Sequence, residues 1–218
     1  MDVAEGHESD EDTDSELEDT YPIFAASDYY PDAQIIEFLI FQQRLAALAW
    51  MRRQMNGSID SELAELREIR HSGEHRVSGW ETESDQVLNE SLHLLDRDAR
   101  GISSGVILVA AVAALESLMN QLLDQPNDER LRRAGLTRKA ETLAERWIGE
   151  DKADVFNEHL KWLRDRRNSF AHRLLDDVDP YWEADGPQWT LDDEVADEAL
   201  YRAGSIAIML EQAKLEKS

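Results

Sequence analysis

The stretch from Phe156 to Leu175, FNEHLKWLRDRRNSFAHRLL, constrains the chain more than any other. Its apolar residues Phe156, Leu160, Leu163, Phe170 and Leu174 recur in steps of four and three, broken by one gap, which predicts an amphipathic helix packed against a neighbour. Arg167 fills the gap. A guanidinium on an apolar seam keeps its charge and needs hydrogen bonds if it is buried, so the fold has to supply a receiver.

A second helix offers one. Ile102 to Asp124 is the most apolar helix of the chain, and a seam can be drawn along it through Ile102, Val106, Val109, Ala113, Glu116, Asn120 and Leu123. Packed against the Arg167 helix, Glu116 would give the guanidinium a bidentate carboxylate and Asn120 would complete its hydrogen bonds.

The remaining chain reads as further helices. A helix is expected from Asp32, after Pro31, to a stop at Asn56-Gly57, then a mixed charged segment to about Trp80 and a helix from Asp85 to Asp98. Another is expected from Glu129 to Trp147, and a closing helix after Thr190, its expected N-cap, with Asp192, Asp193 and Glu194 in the first turn. Between Asp179 and Trp189 lies an aromatic loop whose tryptophans are expected to pin it to the bundle. No strand-like alternation of useful length and no repeat appears, so the class is all-α.

Residues 1–20 are almost entirely acidic, serine or threonine and predict a disordered tail. Residues 21–84 read as an N-terminal helical extension and 85–218 as a helical bundle. His71 and His75 have a metal-ligand spacing, but Gly73 between them and the want of an assured third ligand favour two surface histidines. No metal and no cofactor is expected. The chain has no cysteine, which removes disulfides and thiolate chemistry. No hydrophobic N-terminal signal is seen, and the longest apolar run falls short of the ~20 residues that span a bilayer. No membrane partner and a cytoplasmic location are therefore expected.

The formal charge is -24, and 18 of the 23 basic residues are arginine. This lysine-poor, acid-rich balance resembles that of proteins adapted to high salt, where a Debye length of ~3 Å at 1 M removes most self-repulsion; an ordinary acidic protein whose N-terminal tail inflates the count is the other reading. Against that background Arg130, Arg132, Arg133, Arg138 and Lys139 form a basic island just before the Arg167 helix, and Arg164 lies on the helix itself. These six are candidate RNA contacts; a solvated, salt-bridged helix face is the other reading.

Chemistry concentrates in RRNSFAH. Asn168 and His172, four apart, share a helical face, and the long Arg167 side chain can bend toward it. A histidine serves as acid or base near neutral pH, and an arginine stabilises a phosphoryl oxyanion. Together they supply what metal-independent transesterification of RNA requires.

RRNSFAH in a late helix, with AALESLMNQLL in the earlier apolar one, resembles the HEPN domains, helical-bundle proteins that include many metal-independent ribonucleases and toxins of prokaryotic defence and toxin-antitoxin systems. The resemblance covers about residues 85–212. It implies a homodimer that juxtaposes two motifs and an endoribonuclease in which Arg167 and His172 are the working pair. It further implies that Asn168 orients them, that Glu116 positions Arg167, and that an antitoxin or other protein is a partner. Leu174 stands where the toxins partnered by a nucleotidyltransferase carry tyrosine. Other members keep the fold without cleaving, so a non-catalytic interaction or dimerisation module, with Glu116 and Arg167 as a register-fixing ion pair, is the alternative. A nucleotide-binding helical domain is a third.

Overall fold

The computed structural model describes residues 21–123, 128–175 and 192–217, with the side chains of 172–175 outside that description. The expectations for the tail at 1–20, for Thr190 and for the aromatic loop fall outside it as well. The described elements are helical, and no strand occurs among the described residues. A 3-10 turn at Pro22–Ala26 leads to α1 (Ile36–Ser72), α2 (Glu81–His93), a π turn (Leu94–Ala99), α3 (Arg100–Leu122), the short α4 (Glu129–Arg132), α5 (Leu136–Trp147), α6 (Glu150–Leu175) and α7 (Asp193–Glu216).

Side-chain contacts fix how these helices run. Arg44 of α1 reaches Ser117 of α3 at 2.7 Å while Asp60, farther along α1, pairs with Arg100 at 2.5 Å, so α1 and α3 are antiparallel. Arg100 also meets Asp193 at 3.2 Å, which puts the starts of α3 and α7 together. Lys152, near the start of α6, faces Glu216 at the end of α7 at 4.0 Å, so α6 runs against both. The result is a bundle of α1, α3, α6 and α7 around a shared core that includes Phe41, Leu45, Leu115, Leu118, Phe156, Leu163, Leu200 and Ile206. Because Phe38, Phe41, Leu45 and Ala49 belong to it, the first half of α1 is part of the bundle and not an extension beside it.

The start of α1 depends on a buried acid. Glu211 of α7, 4% exposed, accepts from the backbone N–H groups of Gln34 and Ile35 at 2.8 Å each and from the Tyr30 hydroxyl. These bonds fix the two residues that lead into α1, Ile35 being its N-cap, and set a carboxylate where the helix dipole favours one. Beside it the Tyr29 hydroxyl donates to Asp197 at 2.5 Å, and Arg52 reaches the same carboxylate at 2.7 Å. Burial and the neighbouring carboxylates push both tyrosine hydroxyls well above their ordinary pKa.

Several boundaries differ from the sequence expectation, among them the start of α2, at Glu81 and not Asp85. α1 continues through Asn56-Gly57 to Ser72, because a glycine inside a helix costs only about 1 kcal/mol and the flanking residues favour helix. Its end is set instead by Gly73, whose left-handed φ of 75° closes the helix with its N–H on Ile69 O. Beyond it, His75 and Arg76 bind Asp85 at 2.7 and 2.9 Å and staple α1 to α2, holding the Asp85 carboxyl down at about 2. His75 is thus a paired side chain, 10% exposed, rather than a surface one, and no metal-binding cluster occurs among the described residues. The expected Glu129–Trp147 helix is broken between α4 and α5, where Gly135 is extended. In α7, Asp192 is the N-cap, its carboxylate accepting from Val195 N at 3.1 Å.

The continuous helical run Glu81–Leu122 is long and apolar enough to cross a membrane by length and composition, yet 61% of that apolar window is buried in the bundle. It is the core helix of this fold.

Candidate functional site

Phe170 sets the geometry of the motif. Its ring, 5% exposed, lies against the backbone of α3 at Gly105, where a Cβ would come within 2.1–2.5 Å of three ring carbons. With α3 and α6 antiparallel, Arg167, three residues before Phe170, stands level with about Leu108. Glu116 is eight residues further on, about 12 Å of helix rise away.

The expected Glu116–Arg167 pair is therefore out of register. Glu116 instead accepts from Lys139 of α5 at 2.6 Å, with Lys139 only 2% exposed. Asn120 does not complete a guanidinium's hydrogen bonds either, its Oδ1 being buried without a partner in the structure. Arg167 is partly exposed and donates to Asn168 Oδ1 at 3.1 Å, and Asn168 is exposed. No carboxylate lies within ion-pair distance of Arg167 among the described residues. In a chain with twice as many acids as bases, this cation has no acid beside it among the described residues. Of His172 only the backbone, on α6 one turn beyond Asn168, is described.

The basic island divides into two groups. Lys139 is buried by its bond to Glu116, so it forms no part of a surface for RNA. Arg132 is spent on the C-terminal end of α3, donating twice to Leu123 O at 2.9 and 2.7 Å, where a helix leaves carbonyls open. Arg130, Arg133 and Arg138 are exposed. Arg164 pairs with its neighbour Asp165 at 2.9 Å. Since Arg132 anchors α4 at Leu123 while Arg167 stands level with Leu108, the island lies about 22 Å of helix rise from the motif. One chain does not bring the two together.

Nearer the middle of α6, Trp162 has guanidinium groups over its ring, Arg166 at 5.3 Å and Arg202 at 5.1 Å from the centroid. Arg202 also bonds Glu198 at 2.5 Å and His159 Nδ1 at 3.2 Å. Burial, then the Arg202 charge, hold His159 below its ordinary pKa.

The feature that sequence reasoning missed is on α3. Ile102, Val106 and Val109 of the drawn seam face outward, 50%, 43% and 36% exposed, and Ala113 with them. The buried face is carried by Ile107, Leu108, Ala111, Leu115 and Leu118. A signal was present, since residues 101–115 contain no charged side chain and a helix apolar all round has more than one face to cover. Comparison with known proteins yields no match, whether to a family model, to a curated protein or to a solved structure.

Proposed function

We propose that the chain is a metal-independent endoribonuclease of the HEPN kind, working in the cytoplasm of a salt-adapted cell as a homodimer and held in check by a protein partner of antitoxin type. The observation that carries this reading is Arg167, without an ion-pair partner among the described residues and hydrogen-bonded to Asn168 Oδ1 at 3.1 Å, about one helical turn from His172. A cation with no carboxylate partner among the described residues, and a polar neighbour that orients it, is suited to a phosphoryl oxygen. In the proposed reaction His172 takes the proton from a ribose 2'-hydroxyl as it attacks the adjacent phosphorus. The P–O5' bond breaks as the imidazolium so formed gives its proton to the departing 5'-oxygen, and the products are a 2',3'-cyclic phosphate and a free 5'-hydroxyl. Arg167 stabilises the added charge on the phosphorane oxygens, while Asn168 fixes the guanidinium in Glu116's place.

Incubation of the protein with structured and unstructured RNA in molar salt and chelator tests the reading. The wild type is expected to cut, leaving cyclic phosphate ends, and His172→Ala to lose at least a hundredfold in rate, in line with the ~10²–10⁴ supplied by general acid-base groups. Equal cutting by both proteins, or none by either, overturns it.

A second reading, a non-catalytic dimerisation or interaction module, is favoured by the outward apolar stripe on α3. It predicts no cleavage and a partner bound through that stripe.

A further inference from the structure

We infer that the outward face of the helical run 81–122 is a docking surface for an amphipathic helix of a different protein, basic over the half that lies on α2 and uncharged over the half that lies on α3. The Ile102–Val106–Val109–Ala113 stripe does not stop at the start of α3. On α2, Val87 and Leu94 are 63% and 56% exposed, and Glu83 and Glu90 stand in line with them in steps of four, three and four. An unbroken α-helix would carry that line from Leu94 to Gly101, seven residues on. The π turn at Leu94–Ala99 takes up one extra residue, so the line passes through Asp98 to Ile102 instead. Exposure follows it: each of these positions from Glu83 to Ala113 is exposed, whereas Gly101 is partly buried. The π turn thus joins two short stripes into one of about 45 Å, and an uncovered apolar face of that extent marks an interaction site. Met51 of α1, 41% exposed, widens its α3 half.

Three acids select the occupant. Glu83, Glu90 and Asp98 alternate with Val87 and Leu94 on the line, while residues 101–115 carry no charge. His75 and Arg76 take Asp85, and the three acids on the line have no cation within ion-pair distance among the described residues. Covering them without a cation would strand three carboxylates away from water. A second copy of this run supplies none, since it sets acid over acid when parallel and acid over bare aliphatic surface when antiparallel. A bilayer would take the carboxylates into hydrocarbon, and a nucleic acid would be repelled by them. A helix with leucine-like side chains along one seam and lysine or arginine beside it over one half meets both halves of the surface at once.

The inference rests on the chain having a protein partner, which both readings above share, and gives that partner's segment its length and charge. It does not depend on cleavage.

Two synthetic helical peptides of about 28 residues, sharing one leucine and alanine seam, test the surface. One carries lysines beside the seam over one half only, and the other carries glutamates at the same positions. With the full chain in about 0.2 M potassium chloride, fluorescence anisotropy is expected to show saturable binding of the lysine peptide, at least tenfold tighter than that of the glutamate peptide. Val106→Glu, at an exposed position and so expected to keep the helical spectrum, separates docking from the mere attraction of a cationic peptide to an acidic chain. It adds an acid, so plain attraction would tighten, whereas docking is expected to weaken at least tenfold. Glu83→Lys together with Glu90→Lys is expected to turn the preference toward the glutamate peptide. Equal binding of the two peptides, or lysine-peptide binding that Val106→Glu leaves unchanged or tightens, overturns the inference. Self-association that Val106→Glu abolishes, or cosedimentation with phosphatidylcholine vesicles, in place of peptide binding gives the face to another occupant and likewise overturns it. A wild type that binds neither peptide does the same, and whether that preparation cuts RNA decides the ribonuclease reading separately.

Discussion

Lys139 and Arg167 have exchanged the roles that their positions suggested. The ammonium is buried at 2% exposure against Glu116, and the guanidinium is left at the surface beside Asn168. Removing one partner of a buried pair leaves the other charge uncompensated, so Glu116→Gln is expected to destabilise the fold by on the order of 3 kcal/mol, read from the urea midpoint. Arg167→Lys touches no ion pair among the described residues and is expected to leave that midpoint within about 0.5 kcal/mol of wild type. If Arg167 binds a phosphoryl group, the same substitution removes the planar donor fork and lowers cleavage. Equal losses of stability in the two variants would show that Arg167, too, is part of the core.

At the scale of the element, the close contact between α3 and α6 depends on one missing methyl. Gly105→Ala forces the buried Phe170 ring to move and is expected to cost about 1–3 kcal/mol. Gly204→Ala on α7 meets the backbone carbonyl of Tyr29, which can give less, and is expected to cost more; thermal unfolding of both variants checks the order. His159, between α6 and α7, adds a pH dependence. Its folded pKa is lowered from 6.5, so its contribution to stability is present in full above that value and is lost as pH falls below it, until the folded state protonates too. The urea midpoint is expected to drop between pH 7.5 and 5.5 by more in the wild type than in His159→Asn. The helices themselves were legible because periodicity and turn residues act locally: the steps of four and three through Phe156, Leu160 and Leu163 end in buried side chains. What was not legible is register. Nothing local to Glu116 says that Gly105 lets Phe170 approach, which slides Arg167 past it by about 12 Å. The outward stripe escaped for the same reason, because a helix apolar on every side does not announce which face is inward.

For the molecule as a whole, charge and shape have to be read together. A net charge of -24 at this length destabilises the compact state in dilute buffer, and salt relieves it. The melting temperature is expected to rise steadily as potassium chloride goes from 0.1 to 2 M; a flat or falling curve contradicts salt adaptation. Salt also screens charged contacts, so contacts of RNA with Arg130, Arg133 and Arg138 are expected to weaken over the same range. The measurement that tests the central claim most directly is chelator-treated cleavage of an RNA and of the same strand with a single 2'-deoxy substitution at the cut position, by wild type and by Arg167→Lys. The account predicts that the wild type cuts the RNA but not the substituted strand at that position, and that Arg167→Lys cuts neither appreciably. Cutting of both strands, or cutting that survives in Arg167→Lys at the wild-type rate, contradicts it.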